Sequence, residues 1–378
     1  MPSLKFQILA KCPITSARAG IIETNHGAIE TPIFMPVATK GSVRGMPWEI
    51  MHDLGAQIVL ANTYHLHIRP GEMQIKAAGG LHRWSRWDKP FLTDSGGFQV
   101  FSFARRGKAK IDDQGVTFKD DLAGNWHRIG PLESMLIQRD LGADIVMAFD
   151  HCPPGNASYD EVAFAVERTN LWTKKCFEIE LQKHQNLFPI VQGGRYPDLR
   201  EYSLKQITSL DAPGYALGGV SVGETREEVD KVVKAFGPLL PDYKPRYVMG
   251  VGTPHDLITG VNSGIDMFDC VLPTRLARHG SFFGKEGKVE SVTQKAFSDE
   301  HELPLMPDCH CPTCLVHSRA YLKHLFLRSE LTVYYYLSVH NMYTLLNLTR
   351  SMRKAILDGS FASKFAHDSS LKAETQSL

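Results

Sequence analysis

Carboxylates follow apolar runs in this chain at positions where their side chains could do chemistry. In residues 264–280 an apolar run leads to Asp269, after which Pro273 interrupts the strand and Arg275 and Arg278 begin a basic cluster. A barrel strand that ends in this way presents a catalytic acid to an anionic substrate. The stretch taken alone fits equally well a buried strand whose aspartate caps a neighbouring turn.

Polar or glycine-rich residues follow other apolar runs in the same way. These segments are Asp94-Ser95-Gly96-Gly97, Asp150-His151-Cys152, Gln192-Gly193-Gly194, Gly218-Gly219 and Gly250-Val251-Gly252. One Gly-Gly pair after a strand is usually a turn. Repetition after several strands is typical of the ligand site of a parallel barrel.

The residue types at these positions suggest chemistry on a nucleoside. The glycines after Asp94 let a planar ligand approach the backbone, and Phe98 offers an aromatic face for stacking. Asp150 and Gln192 provide donor and acceptor edges of the kind that bind a nucleobase. Asp269 is then the candidate nucleophile. A carboxylate nucleophile suits reaction at an anomeric carbon, because a covalent glycosyl intermediate divides one difficult step into two.

The elements that must position these residues alternate between short apolar strands and amphipathic helices, which predicts a (β/α)8 barrel in the α/β class. The candidate strands are residues 33–37, 57–61, 91–93, 145–149, 188–191, 216–217, 247–249 and 265–268, after an N-terminal hairpin at about 4–10 and 18–31. Helix boundaries are indicated by capping boxes at Ser158/Glu161 and Thr225/Glu228, by Thr253-Pro254, and by Gly142 after Pro131–Leu141.

A second motif has metal-ligand spacing. Cys309, Cys311 and Cys314 lie close together, and His340 follows on a later predicted helix. Three thiolates and one imidazole suit a closed tetrahedral zinc site, which holds structure because no position stays open for water. The competing histidines are His301, His310, His317 and His324.

Composition limits the class of protein. The chain has 378 residues, 43% of them hydrophobic, a net charge of +1 and seven cysteines, an odd number that argues against a disulfide framework. No apolar run approaches the roughly 18 residues that span a bilayer, so we expect a cytoplasmic protein. A nucleic-acid partner would need a local basic patch. The candidates are Arg275, Arg278, Lys285, Arg319, Lys323 and Arg328.

The predicted domain organisation has three parts. Residues 1–300 form the barrel with its hairpin and an insertion near 102–128. Residues 301–360 form a helical lobe that carries the zinc site, and residues 361–378 form a disordered tail.

The combination of motifs resembles the bacterial tRNA-guanine transglycosylases over nearly the whole chain. The motifs are Asp94-Ser95-Gly96-Gly97-Phe98-Gln99, Val191-Gln192-Gly193-Gly194, Leu217-Gly218-Gly219, Gly250-Val251-Gly252, residues 264–275, and Cys309-x-Cys311-x-x-Cys314 with Val339-His340-Asn341. The resemblance implies a (β/α)8 barrel with a structural zinc that exchanges the wobble guanine of GUN-anticodon tRNAs for a 7-deazaguanine precursor of queuosine. It also implies a homodimer.

The resemblance assigns roles to individual residues. Asp269 resembles the nucleophile and Asp94 the general acid/base. The residues that resemble the base-binding set are Asp150, Gln192 and Gly219, with Phe98 and Met249 on the two faces of the base. The zinc ligands by resemblance are Cys309, Cys311, Cys314 and His340. Cys152 and Val222 resemble the small-pocket pattern, which implies 7-aminomethyl-7-deazaguanine as the incoming base.

Three alternatives are weighed against this interpretation. A queuine-using version of the same enzyme would need more room near Cys152 and Val222. A non-catalytic tRNA-binding accessory subunit should lack Asp94 or Asp269, and both are present. A glycoside hydrolase should carry sugar-binding tryptophans in the strand-end motifs, which contain none.

Overall fold

The structure is a computed structural model that describes residues 4–105, 109–120 and 122–366. The strands are β1 (Lys5–Lys11), β2 (Arg18–Thr24), β3 (Gly27–Thr31), β4 (Ile33–Pro36), β5 (Val59–Ala61), β6 (Phe91–Thr93), β7 (Ala109–Asp112), β8 (Gly115–Lys119), β9 (Trp126–Ile129), β10 (Ile145–Met147), β11 (Asn186–Phe188), β12 (Ile190–Val191), β13 (Tyr215–Leu217), β14 (Arg246–Val248), β15 (Met267–Cys270), β16 (Ser281–Phe283) and β17 (Val289–Ser291). The α-helices are α1 (Trp48–Asp53), α2 (Thr63–Ile68), α3 (Glu72–Ala77), α4 (Leu81–Ser85), α5 (Gly97–Arg105), α6 (Pro131–Leu141), α7 (Tyr159–Phe177), α8 (Pro197–Thr208), α9 (Arg226–Phe236), α10 (Pro254–Asn262), α11 (Leu272–Arg278), α12 (Pro312–Val316), α13 (Arg319–Leu327), α14 (Leu331–Leu357) and α15 (Phe361–Phe365).

Parallel strands close into a barrel. One sheet has the order β11-β10-β6-β5 and the other β12-β13-β14-β15-β4. A parallel bridge between Val37 and Leu60 joins β4 to β5. On the opposite side of the barrel the two sheets meet where β11 ends at Phe188 and β12 begins at Ile190. The prediction of one continuous strand over 188–191 is therefore wrong in detail. Pro189 interrupts it because proline has no N–H for the ladder. The (β/α)8 fold is confirmed.

Side chains alternate between the inside and the outside of the barrel. The inner core contains Met35, Leu60, Leu92, Met147, Ile190, Tyr247 and Met267. Their neighbours along the strands, including Phe34, Val59, Phe91, Val146 and Phe268, pack outward in the core beneath the helices. Because strand side chains alternate with a period of two, a residue two positions beyond an inward-facing one points towards the carboxyl-end mouth of the barrel.

The N-terminal segment forms three antiparallel strands in the order β1-β2-β3, so the predicted hairpin is corrected. The predicted strand over 18–31 reverses at Asn25-His26, and Gly27 takes up a φ of 130° that favours glycine. Ile22 and Ile29 pack with the residues of the inner barrel core. This sheet therefore covers the end of the barrel at which the strands begin.

The predicted helix boundaries are confirmed. Both predicted capping boxes form, at the starts of α7 and α9, and Thr253 caps α10 in the same way. Helix α6 ends at Gly142, whose φ of 77° suits glycine. None of the helices in the described ranges is both long and apolar enough to cross a bilayer.

The remaining elements lie in the insertion and the C-terminal region. Strands β7, β8 and β9 form an antiparallel sheet within the predicted insertion. Helix α14 lies against α11, β16 and β4 and thereby links the region of the metal motif to the barrel. The predicted tail is wrong for residues 361–366, because α15 forms there and Phe361 is buried. Residues 367–378 lie outside the described residues.

Candidate active site

The carboxyl ends of the barrel strands enclose a cavity of ≈ 560 Å³. Asn62, Asp94, Gln192, Met249 and Asp269 all line it. Each stands two positions beyond an inward-facing apolar residue. Those residues are Leu60, Leu92, Ile190, Tyr247 and Met267. The strand period therefore turns these five side chains, four of them polar, from separate strands into one cavity above the apolar core.

Asp269 lies on β15 and is held through one of its two oxygens. Its Oδ1 accepts hydrogen bonds from the Tyr247 hydroxyl at 2.5 Å and from the Gly250 N–H at 2.8 Å. Among the described residues no group donates to Oδ2. Burial raises the pKa of Asp269, while the hydrogen bonds from Gly250 and Tyr247 oppose that rise. The arrangement fixes the carboxylate and leaves its second oxygen able to contact a ligand.

Asp94 lies beyond β6 and is tied to the start of α2. Its Oδ1 accepts from the backbone N–H of Thr63 at 2.8 Å and of Gly96 at 3.2 Å, and its Oδ2 accepts from the Asn62 amide. Burial, with a smaller contribution from the charge of Asp269, raises the pKa of Asp94 to about 7. A carboxyl group with that pKa can both give and take a proton at neutral pH.

Asp150 and Gln192 form a polar edge deeper in the cavity. Gln192 Nε2 donates to Asp150 Oδ2 at 2.6 Å, and the Ser95 hydroxyl donates to Oδ1 at 3.2 Å. Burial raises the pKa of Asp150 to about 6. Gln192 Oε1 is buried and has no hydrogen-bond partner among the described residues. A ligand N–H would satisfy this oxygen, because a buried acceptor without a partner is costly.

Gly219 completes the edge through its lack of a side chain. A Cβ atom at this position would lie 2.2 Å from Gln192 Oε1, and the φ of +59° is one that L side chains rarely adopt. Glycine therefore keeps the space beside the unpartnered amide oxygen free of a side chain. The peptide carbonyl of Gly219 accepts from Arg200 Nη2 at 2.8 Å, which holds the loop in place.

Phe98 and Met249 are among the apolar residues that line the cavity. Phe98 stands in the first turn of α5 and is 48% exposed, so its ring is available to a ligand. Met249 follows β14 and is partly buried. An exposed aromatic ring and a thioether at a polar cavity are surfaces on which a planar heterocycle can stack.

A basic rim borders the cavity. Arg275 lines it, and Arg278 follows on the same helix, α11. The pKa of Arg278 is lowered by burial and by the charges of Arg44 and Arg275, which places these cations close together. Lys40 and Arg44 likewise lower the pKa of His65 at the cavity, after the effect of burial. The structure thus adds Lys40 and Arg44 to the two arginines that the sequence indicated.

Two of the other candidate cations have structural roles instead. Lys323 is buried and its ammonium donates to the carbonyl of Gln294 at 2.7 Å and to the Ser298 hydroxyl at 2.8 Å. Arg319 pairs with Glu300 at 2.8 Å. The ammonium of Lys323 is thus used in hydrogen bonds within the protein, and the charge of Arg319 is paired with a carboxylate.

The predicted metal ligands meet in one buried cluster. Cys309, Cys311, Cys314 and His340 come together although α13 and part of α14 separate the thiols from the histidine in sequence. His340 Nδ1 lies 3.6, 3.5 and 3.3 Å from the three sulfur atoms, in that order. The competing histidines do not belong to this cluster of described residues.

The geometry of the cluster fits a tetrahedral ion. With metal–sulfur and metal–nitrogen distances of about 2.3 and 2.05 Å, tetrahedral ligands would place sulfur and nitrogen about 3.6 Å apart. His340 Nε2 donates to the Phe283 carbonyl at 2.8 Å, which leaves the Nδ1 lone pair for a metal. The group can therefore hold a metal ion.

Sequence reasoning missed several residues that support the site. Asn62, Ser95 and Tyr247 each donate a hydrogen bond to one of the three aspartates. For Asn62 a signal was present, since it follows the inward-facing Leu60 by two positions. Tyr247 lay inside a predicted strand and gave no sign that its hydroxyl reaches β15.

The chain is similar to known proteins over nearly its whole length. A family model described as queuine tRNA-ribosyltransferase matches residues 12–370. A protein of that name from Moorella thermoacetica is 48% identical over 359 residues, which cover 95% of each chain. Others of that name are 47% identical over 94% of each chain in Halothermothrix orenii, and 48% identical over 96% of each chain in Synechococcus sp. strain CC9605. With its fold, cavity and length of match, the chain belongs to the queuine tRNA-ribosyltransferase family.

Proposed function

We propose that the protein is a tRNA-guanine transglycosylase that exchanges the wobble guanine of GUN-anticodon tRNAs for a 7-deazaguanine in queuosine biosynthesis. The observation that carries this proposal is the single cavity that joins Asp269, Asp94 and the Asp150–Gln192 edge. The family name of the relatives, which states transfer of ribosyl groups in tRNA, supports it. A base must leave the anticodon stack to enter such a cavity.

The first chemical step breaks the bond between the ribose and guanine. Asp269 Oδ2 forms a bond with the anomeric carbon while the bond from that carbon to N9 breaks, and its electron pair goes to guanine. Protonated Asp94 gives its proton to the departing base. Ribose is then covalently held by Asp269, and the transition state is oxocarbenium-like.

The second step reverses the first with a different base. The carboxylate of Asp94 takes the N9 proton of the incoming base, whose N9 attacks the anomeric carbon and releases Asp269. Exchange instead of hydrolysis requires that water stay away from the covalent intermediate. The bases fill the same cavity in turn, and this occupation protects the intermediate.

The polar edge recognises both bases in the same way. Asp150 accepts from the N–H groups of the guanine edge, and the unpartnered Gln192 Oε1 beside Gly219 accepts another. Phe98 and Met249 cover the two faces of the ring. The buried aspartate rejects bases that lack these donors, because its charge would then be left unpaired.

The incoming base is 7-aminomethyl-7-deazaguanine. Cys152 and Val222 both line the cavity, and neither is large. A 7-aminomethyl group is small and cationic, and the carboxylates that line the cavity favour a cation. Queuine carries a ring on the same substituent and would need additional room beside these residues.

The tRNA backbone is held by the basic rim. Arg275 and Arg278 contact phosphates near the flipped base, and Lys40 and Arg44 extend the positive surface. The enzyme acts as a cytoplasmic homodimer, in which the second subunit helps to hold the tRNA. Light scattering of the free protein and of its tRNA complex tests this state.

The experiment that tests the function is incorporation of radiolabelled guanine into an unmodified GUN-anticodon tRNA transcript. Incorporation blocked by 7-aminomethyl-7-deazaguanine but not by queuine is the expected result. Equal competition by queuine would overturn the choice of base. No incorporation under any condition would overturn the enzyme assignment in favour of a tRNA-binding accessory subunit.

Replacing Tyr247 with phenylalanine should lower kcat/KM for guanine exchange by about 10- to 100-fold, the effect of losing one charge-assisted hydrogen bond. Asp269 Oδ1 would keep only the Gly250 N–H, so the pKa of Asp269 would rise further and the acid limb of the pH profile would move to higher pH. The measurement is kcat/KM against pH.

Tyr215→Phe is the matched control for this change. Tyr215 is an equally buried tyrosine on the neighbouring strand β13, but its hydroxyl donates to the Leu210 carbonyl at 2.6 Å, away from the aspartates. It should leave the pH profile unchanged. Equal losses in the two variants would show that Tyr247 contributes only to packing.

The metal in the Cys309 cluster is a structural zinc ion, and the lobe over 301–360 depends on it. His340→Ala should reduce the zinc content from one ion per chain to none and speed proteolysis within the lobe by roughly tenfold or more, because metal binding there is coupled to folding. Metal analysis and limited proteolysis measure both effects. The exposed His324 of the same lobe is the control, and His324→Ala should keep zinc. Full zinc in the His340 variant would refute the ligand set.

A further inference from the structure

A second cluster of metal-binding side chains lies at the end of the barrel opposite the active site. His26 stands in the turn between β2 and β3, His82 lies in α4, and Asp144 directly precedes β10. One ligand atom from each residue lies within 4.8 Å of the others. The cluster therefore joins the N-terminal sheet to the start of a barrel strand, far along the chain from the cysteine site.

The carboxylate of Asp144 is the centre of this cluster. His26 Nδ1 lies 2.7 Å from its Oδ1, and His82 Nε2 lies 3.2 Å from its Oδ2. Asp144 is fully buried, and the Phe91 N–H donates to Oδ2 at 3.1 Å. A carboxylate fixed by a backbone donor in this way resembles the hydrogen-bonded ligands of protein metal sites.

The Nε2 atom of His82 lacks a hydrogen bond that would compensate for its burial. Nε2 is buried and makes no hydrogen bond among the described residues, although Asp144 is near. The two imidazole rings instead stack, with centroids 3.5 Å apart and planes inclined by 13°. The ion pair with Asp144 therefore leaves this nitrogen without an aligned hydrogen bond. A buried polar atom without a partner points to a missing water or ion.

We propose that His26, His82 and Asp144 form a second metal site, which binds a divalent transition ion of the zinc, cobalt or nickel class. Two imidazoles and one carboxylate are a ligand set that these ions favour. To bind an ion, the rings would turn out of the nearly parallel stack so that one nitrogen lone pair of each points at it. The side chain of His26 is 27% exposed, which gives the ion a path from solvent.

The site differs in kind from the cysteine cluster. Three protein ligands leave a coordination position for water, so this ion exchanges with solution, whereas the fully ligated ion does not. His184 contacts the His26 ring edge-on, with centroids 5.6 Å apart, and limits how far that ring can turn. An ion held here ties the N-terminal sheet to the barrel and stabilises the folded protein in proportion to its occupancy.

Cobalt binding to the zinc-loaded protein tests the proposal. At about pH 7.5, Co²⁺ should bind as one additional equivalent per chain. Its visible spectrum should lack thiolate-to-cobalt charge-transfer bands, which separates this site from the cysteine cluster. The melting temperature should rise with added Co²⁺.

Variants connect the binding to these residues. His26→Ala and His82→Ala should each weaken Co²⁺ binding by more than about 100-fold, with circular dichroism confirming that they are folded. The control is His52→Ala, because His52 forms a surface pair with Asp88 at 3.3 Å but belongs to no such cluster. It should bind Co²⁺ as the unmodified protein does. Absence of the additional equivalent, or its persistence in either the His26 or the His82 variant, overturns the site.

Discussion

Asp269→Asn should abolish guanine exchange, with a loss of at least about 10⁴-fold in kcat, and no covalent RNA–protein adduct should survive denaturing electrophoresis. The amide nitrogen cannot act as the nucleophile that the proposed intermediate requires. The structure shows why this variant should otherwise be benign. An amide oxygen can keep both hydrogen bonds of Oδ1, from Tyr247 and Gly250, while the NH2 group replaces Oδ2, to which no described group donates.

A measurement of tRNA binding distinguishes loss of catalysis from loss of tRNA recognition in the Asp269 variant. The variant should bind an unmodified transcript with an affinity close to that of the original protein, since the basic rim is intact. Asp256→Asn is the matched control, because Asp256 also lines the cavity but accepts from the N–H of Thr253 at the start of α10. It should keep exchange within a few-fold. An adduct trapped on the Asp269 variant would disprove the nucleophile.

Asp94→Asn should lower guanine exchange by about 10²- to 10⁴-fold, the usual contribution of general acid–base catalysis, and should remove the alkaline limb of the pH profile. The pKa of Asp94 is raised to about 7, and loss of its proton above that pH prevents it from protonating the departing base. At low pH the rate should fall for a different reason, because Asp269 must be ionised to attack. The measurement is kcat/KM from acid to mildly alkaline pH, which reports the free enzyme.

A second variant distinguishes proton transfer from positioning. Asn62→Ser removes the amide that donates to Asp94 Oδ2 but keeps a residue suited to the N-cap of α2. Loss of a donor to the carboxylate should raise the pKa of Asp94, so the alkaline limb should move to higher pH instead of disappearing. Because the charges of Asp269 and Asp150 also raise the pKa of Asp94, the comparison between variants identifies the residue better than any single profile. An unchanged alkaline limb in the Asp94 variant would exclude it as the acid.

The fold was predictable to a large extent because its signals are local. Strand periodicity, the capping boxes of α7 and α9 and the glycine after α6 depend on neighbouring residues, and each formed as expected. The errors also have local causes. Pro189 divides one strand, Asn25-His26 divides another, and burial of Phe361 orders a segment whose composition alone looked weakly patterned.

The amino-acid sequence alone was enough to identify the polar residues at the strand ends and the cysteine and histidine side chains that could bind a metal. Residue type and a period of two or 3.6 are properties of short segments, so no tertiary contact is needed to recognise them. Tertiary structure alone decided the partners. Tyr247 reaches Asp269 from the adjacent strand, Asn62 reaches Asp94, and burial in a shared cavity raises the pKa of that acid to about 7. Contacts between strands and the loss of water around a carboxyl group depend on barrel closure, which brings distant segments together, and no single segment contains that information.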